Sequence, residues 1–386
     1  RAEEGLRLTS TRIPFNKPYL TGNELAYIKQ AVETGHLSGD GDFTRKCHVW
    51  LEQHLGGGKA LLTTSCTDAL ELTALLCGIE PGDEVILPSF TFVSTANAFA
   101  LRGAKLLFAD SQSQHPNLDP CRVEELISER TRAIVPVHYA GVACDMDAIS
   151  AMAASGDIRV IEDAAQAIAS TYRGKPLGSL GHMATFSFHE TKNAMSGEGG
   201  ALHLNDDSLV ARAEVLREKG TNRAAFFRGQ VDKYGWVDIG SSFLPSELTA
   251  AFLYAQLESL PAIQRRRQDI WKRYQGQLAE LGREGRVELP TLPEYSSNNF
   301  HMFYLLCGSL NERTSLIENL RSSGFQAVFH YQSLHRSAYF QHRHDGRSLP
   351  NADRYSDCLI RLPMFYQLAL DDVDRICVAI SRFYGK

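Results

Sequence analysis
The sequence predicts an α/β fold: a large domain on a mostly parallel sheet with helices on both faces, followed by a smaller C-terminal α/β domain. Three observations carry that reading. Between Lys59 and Leu204, short apolar runs alternate with amphipathic stretches, and strands separated by helices at this spacing form parallel pairs buried on both faces. A long helical pattern then runs from Ser246 through Leu281, interrupted near Pro261, before a second series of strands and helices ends at Tyr384. Finally, 386 residues with 44% hydrophobic content are enough for one large core and a smaller second one.

Taken in order, residues 1–12 carry Glu3 and Glu4 but no apolar core, and are expected to form a tail outside the fold. Apolar and cap-like signals begin at Ile13-Pro14-Phe15-Asn16. The strands are expected at Ala60-Leu62, Glu84-Leu87, Lys105-Phe108, Ala133-Val137, Arg159-Ile161, Ala184-Phe188 and Ala201-Leu204, with a helix over Asp68-Leu76 after the first. The glycines of Ser196-Gly197-Glu198-Gly199-Gly200 suit a tight turn into the last strand rather than a phosphate loop. The domain boundary is placed near Pro261, giving a large ligand-binding domain over 13–260 and a small domain over 261–386.

Charge and composition narrow the function classes. The net charge of -5 comes from interspersed acids and bases, so no polycationic face is available for nucleic acid. No stretch approaches the roughly 18 uninterrupted apolar residues of a membrane helix, and a soluble, cytoplasmic protein is expected. The eight cysteines contain no C-x-x-C pair, which favours reduced thiols over a disulfide framework or zinc site. His342-Arg343-His344 lies in a loop-like stretch with no second cluster at ligand spacing, so no metal is expected there either.

In an open parallel sheet, ligands collect beyond the carboxyl ends of the strands. One such end reads Ile161-Glu162-Asp163-Ala164-Ala165-Gln166, and another reads Phe186-Ser187-Phe188-His189-Glu190-Thr191-Lys192. A carboxylate and a lysine facing one ligand are what pyridoxal phosphate requires: an amine for its aldehyde, and an acid that keeps its ring nitrogen protonated. Alone, Asp163 would pass for a helix cap and Lys192 for a solvated lysine. Leu62-Thr63-Thr64-Ser65-Cys66-Thr67-Asp68 adds hydroxyl residues at a helix start, where backbone amides and the helix dipole favour an anion. Ser187 is placed to add a hydroxyl, and Phe92 in Pro88-Ser89-Phe90-Thr91-Phe92 is placed to cover a ring face.

These segments, in this order, resemble the DegT/DnrJ/EryC1/StrS family of sugar-nucleotide aminotransferases, nearly end to end from Ile13. The likeness is greatest to members that aminate dTDP-4-keto-6-deoxy-D-glucose for enterobacterial common antigen. It runs through Pro136-Val137-His138-Tyr139-Ala140-Gly141, Arg217-Glu218-Lys219-Gly220-Thr221-Asn222 and Phe226-Phe227-Arg228-Gly229-Gln230-Val231-Asp232-Lys233-Tyr234. The resemblance implies the type I fold of pyridoxal-phosphate transferases, at least a homodimer with its site at the interface, and L-glutamate as donor. It also implies Lys192 as the cofactor lysine, Asp163 on the ring nitrogen, Gln166 near the ring hydroxyl, Phe92 on the ring, and Ser65, Cys66, Thr67 and Ser187 on the phosphate. Many relatives carry an Asn that reaches the neighbouring subunit's phosphate, and Leu244 stands in its place here, so by the resemblance that contact is either lost or moved to Ser241 or Ser242.

His189 is a candidate to assist proton transfer or touch the sugar diphosphate, with a structural role as the alternative. Arg228, Lys233 and Tyr234, with His330, Tyr331 and His335 from the second domain, are candidates for the sugar nucleotide, because a diphosphate calls for such donors. A 3-keto acceptor, or a binding protein that keeps the fold without turnover, are the competing readings. A nicotinamide enzyme would need G-x-G-x-x-G after a first strand, whereas Gly56-Gly57-Gly58 precedes one.

Overall fold
The computed structural model describes residues 12–386, so the expected tail lies, but for Arg12, outside the described residues. Helices α1 (Glu24–Glu33) and α2 (Asp42–Leu55) come first. The alternation then follows as β1 (Lys59–Thr63), α3 (Cys66–Leu76), β2 (Glu84–Pro88), α4 (Val93–Ala100), β3 (Lys105–Ala109), α5 (Pro120–Glu124), β4 (Thr131–Ile134), α6 (Met146–Ala154) and β5 (Arg159–Asp163). A two-stranded ribbon, β6 (Thr171–Tyr172) and β7 (Lys175–Pro176), precedes β8 (Met183–Ser187) and β9 (Gly200–Leu204). All seven expected strands are present. The ribbon was not expected, being too short to show any periodicity.

The seven long strands form one sheet in the order β1-β9-β8-β5-β4-β2-β3. Only β9 is inverted, antiparallel to both β1 and β8, while the other neighbours run parallel. The inversion follows from the β8–β9 connection, which doubles back on itself: Phe188 N–H donates to Gly199 O at 2.8 Å and Glu190 N–H to Gly197 O at 2.9 Å. Successive residues supply opposite faces. Val85 and Leu87 join one buried cluster and Ile86 the other, so β2 is apolar throughout because helices cover both sides.

After the sheet come α7 (Val210–Arg217), α8 (Arg223–Phe227), the long α9 (Glu247–Arg283), β10 (Tyr304–Leu306), α10 (Leu310–Ser322), β11 (Val328–Phe329), α11 (Pro350–Cys358), β12 (Leu359–Arg361) and α12 (Leu370–Phe383). Strands β10, β12 and β11 make a small antiparallel sheet.

Three boundaries differ from expectation. The helix expected to break near Pro261 runs straight through it as one 37-residue element. Its early residues, to Leu260, pack in a cluster with the large sheet, and those from Ile270 onward pack with β10 and β12. Packing on both sides outweighs the one backbone donor that proline lacks. Helix α3 starts at Cys66, not Asp68, because the Ser65 hydroxyl caps it by accepting from Asp68 N–H. Strand β4 stops at Ile134, and the chain beyond it touches β5 through a single bridge, Val137 to Asp163.

Candidate active site
A cavity of about 760 Å³ opens where β1, β2, β5 and β8 end, with the chain after β11 and the end of β12 also in its lining. Ser65, Cys66, Thr67, Phe92, Asp163, Gln166, Ser187, His189, Lys192, His330 and Tyr331 all line it. Residues from Ser65 to Lys192 are brought together because strands of the large sheet deliver their carboxyl ends to one edge, and His330 and Tyr331 join them from the segment after β11.

Asp163 closes β5 and is buried. Its Oδ2 accepts from the Thr95 hydroxyl at 2.7 Å, and its Oδ1 accepts from Ala165 N–H at 3.1 Å. Burial pushes its carboxyl above the usual range, opposed by those two donors and by nearby Lys192. Thr91 stands behind Thr95, hydroxyl to hydroxyl at 3.0 Å. Lys192 sits in the folded β8–β9 connection, its N–H donating to His189 O at 2.9 Å. Burial pulls its amine below the ordinary lysine value, with Cys66 and Asp163 acting the other way and Arg361 adding to the fall. The Cys66 thiol is pushed up, chiefly by burial and then by Asp163, so it stays protonated.

The start of α3, where the sequence places an anion seat, faces the cavity with Ser65, Cys66 and Thr67. Its close packing explains Gly200, where a Cβ would lie 2.4 Å from Cys66 N. Thr67 and Ser94 pair their hydroxyls at 2.8 Å inside the cavity. Gln166 is held from both ends: Ala140 N–H donates to its Oε1 at 2.7 Å, and its Nε2 donates to the Tyr331 hydroxyl at 3.0 Å. Tyr331 stacks on His330 with ring centres 3.5 Å apart, and His330 Nδ1 meets the Tyr139 hydroxyl at 2.6 Å. Burial keeps His330 neutral. Phe92 is 55% exposed at the mouth, 6.0 Å from the Tyr331 ring. His189 is half-exposed on the rim, its Nδ1 facing Thr191 and its Nε2 3.8 Å from Glu198.

Other candidates lie elsewhere in this chain. His335 is buried outside the cavity lining and links the end of β2 to α11, its Nδ1 bonded to the Ser89 hydroxyl at 2.7 Å and its Nε2 3.5 Å from Asp353. Arg228 pairs with Glu214 at 2.7 Å on the surface, and Lys233, Tyr234 and Ser241 are exposed outside the cavity lining. Leu244 packs over Gly39, where a Cβ would strike its Cγ. The sequence reading passed over Thr91, Thr95, Ser94, His301 and Arg361, all of which line the cavity. For Thr95 the spacing of Phe92 and Thr95 at a helix start was a usable signal. Arg361 offered none, since a single arginine in an apolar run names no partner.

The model of the DegT/DnrJ/EryC1/StrS aminotransferase family matches residues 18–381. Among solved structures, the aminotransferase TlmJ from Streptoalloteichus hindustanus is 29% identical, with a TM-score of 0.89 over 97% of this chain and 99% of that one. DesV from S. venezuelae, in complex with a ketimine intermediate, is also 29% identical, with a TM-score of 0.89 and the same coverage. Spr1654 from Streptococcus pneumoniae, in a PMP-form, is 26% identical, with a TM-score of 0.89 over 97% of this chain and 99% of that one. With a family model covering nearly its whole length and a cavity that gathers the lysine, carboxylate and anion seat, this chain belongs to the DegT/DnrJ/EryC1/StrS aminotransferase family.

Proposed function
We propose that this aminotransferase uses pyridoxal phosphate to move an amino group from L-glutamate to a nucleotide-linked keto sugar. The reading rests above all on one observation: Lys192 and buried Asp163 line the same cavity as the capped start of α3. The donor set fits the cofactor, with an amine whose pKa is lowered by burial, a carboxylate braced by Thr95, and hydroxyls and helix amides for a phosphate. When bound, pyridoxal phosphate supplies an aldehyde for an amine and a ring that accepts the electrons released at the donor's α-carbon.

This chain's residues do the rest. Asp163 would keep a proton on the cofactor's ring nitrogen, an electrostatic effect that a neutral residue cannot supply. Lys192, in the wall of the same cavity, would hold the cofactor through its amine and would be the group placed to move a proton at the donor's α-carbon. Phe92, 55% exposed in the cavity lining, would cover one face of the cofactor's ring. His189, on the rim with its Nε2 3.8 Å from Glu198, would be a candidate to meet the sugar diphosphate.

For the acceptor we favour dTDP-4-keto-6-deoxy-D-glucose, giving dTDP-4-amino-4,6-dideoxy-D-galactose and 2-oxoglutarate. The support is the likeness through Phe226–Tyr234, a segment outside this chain's cavity lining. Phe227, Tyr234, Trp236, Val237 and Ile239 form an exposed apolar run, with Trp236 83% exposed, and this suits coverage by a second copy of the chain. Such a homodimer would carry Arg228, Lys233, Tyr234 and Ser241 toward a neighbouring cavity. The protein would work in the cytoplasm, where sugar nucleotides and glutamate are both available. The test is direct: holoenzyme treated with borohydride should carry its label on Lys192, and turnover with glutamate and the dTDP sugar should yield the 4-amino product by NMR. A label on Lys219 or Lys233 overturns the site, and a 3-amino product overturns the acceptor.

A further inference from the structure
His301, in the segment before β10, lines the same cavity as Lys192, and the hydrogen bonds around it fix where its proton sits. The anchor is the main-chain oxygen of Asn299, which accepts from the Asn193 side-chain amide at 2.8 Å and from the Gln264 amide of α9 at 3.0 Å. A carbonyl only accepts, so both amides turn their nitrogens toward it. Asn193 Nδ2 also donates to Gln264 Oε1 at 2.7 Å, which leaves Asn193 Oδ1 to meet His301 Nδ1 at 2.9 Å. That ring nitrogen therefore carries the hydrogen. The backbone is locked as well: His301 N–H donates to Asn299 Oδ1 at 3.1 Å, and Arg267 donates to His301 O. Burial, reinforced by Lys192, Arg267 and Arg361, holds the pKa of His301 well below the ordinary histidine value, so the ring is neutral. Its Nε2 is left with a bare lone pair. Among the described residues that atom has no hydrogen-bond partner, and it is not sealed within the protein.

Resting on the keto-sugar reading above, we propose that His301 Nε2 accepts a hydrogen bond from a hydroxyl of the acceptor sugar and so takes part in choosing that sugar. Chemistry decides among the ligands. A neutral ring with a bare lone pair repels phosphate and carboxylate oxygens, which excludes the sugar diphosphate, the cofactor phosphate and the carboxylates of glutamate. Glutamate's remaining donor is its amine, the group given up in the reaction. A keto sugar keeps hydroxyls that enter and leave unchanged. A fixed acceptor discriminates by such a hydroxyl, because a sugar that lacks it leaves the lone pair unpaired. Asn193 is the positioning residue: it follows Lys192 in the chain, so one short segment carries the cofactor lysine and sets the tautomer of His301.

Two substitutions separate this contact from a structural role. In His301→Asn the amide nitrogen takes the place of Nδ1 and still donates to Asn193, while the cavity acceptor is gone. In His301→Gln the longer amide restores an acceptor at the place of Nε2, while the tie to Asn193 is lost. Holoenzyme reduced with borohydride, so that no turnover occurs, is titrated by calorimetry with dTDP, with dTDP-glucose, which adds hydroxyls without a keto group, and with L-glutamate. Relative to dTDP, dTDP-glucose should bind about five- to tenfold more weakly to His301→Asn than to wild type, and His301→Gln should recover most of that loss. The opposite order, with Asn tolerated and Gln impaired, makes His301 a structural tie and overturns the proposal. So does an equal loss for dTDP and dTDP-glucose, or a loss confined to glutamate, which assigns the lone pair to the donor's amine. If His301→Asn does not fold, His301→Gln still decides: a wild-type preference for dTDP-glucose over dTDP supports the contact, and a lost preference overturns it. Wild type that binds neither dTDP probe, or that aminates no nucleotide-linked keto sugar, overturns the parent reading, and this is seen before any variant is made.

Discussion
Asp163 shows how much one side chain depends on its neighbours. A carboxylate at the end of a buried strand is pushed toward its neutral form, and the Thr95 hydroxyl and Ala165 N–H oppose that push. Its charge is the useful property. Asp163→Asn should therefore retain cofactor but lose roughly a hundredfold in turnover, about 3 kcal/mol, and near-normal single-turnover rates would refute the role. Thr95→Val should cost about tenfold, since a hydrogen bond to a charged group is being removed. The sign follows from the bond. Thr95 stabilises the ionised form, so its loss lets Asp163 take up a proton at higher pH, and the acid limb of the rate profile should move upward. An unmoved limb in Thr95→Val would mean that Thr95 only fills space.

At the scale of elements, α3 links stability to ligand binding. Ser65 satisfies the backbone at its start, and the same turn faces the cavity. Ser65→Ala should cost about 1 kcal/mol of stability by urea titration, and it should also speed cofactor loss on dialysis, measured by absorbance above 400 nm. A loss of stability without faster cofactor release would separate the cap from the anion seat. Helix α9 teaches a different lesson. Proline is a sound local signal for a break, yet residues on either side of Pro261 are clamped by two cores, so packing overrides the local preference.

For the whole molecule, buried histidines set the response to acid. His48 on α2 accepts from Leu62 N–H of β1 at 2.9 Å, and burial, reinforced by Arg217, pushes its pKa down to about 3. His115 is pushed down to about 4 by burial. Both stay neutral in the fold but take a proton in the unfolded chain below about pH 6.5. Their contribution is therefore complete above that pH and is lost as pH falls toward 4 and 3, by up to about 1.4 kcal/mol per pH unit for each group. Replacing His48 by Gln, which still offers Leu62 an acceptor, should flatten the fall in urea midpoint between pH 7 and pH 5. An equal fall in both proteins would place the acid sensitivity elsewhere.

Periodicity, strand-end chemistry and ordered motifs were enough to reveal the sheet, its helices, and the pairing of Asp163 with Lys192. These are local patterns, or patterns that a parallel sheet carries to one edge whatever the connections do. Tertiary structure alone decided the inversion of β9, the continuity of α9, the separation of His335 from the cavity, and the presence there of Thr95 and Arg361. Each depends on which surfaces meet across long stretches of chain. That is settled by the burial of whole faces and by the fate of each enclosed polar group, quantities that no window of sequence contains.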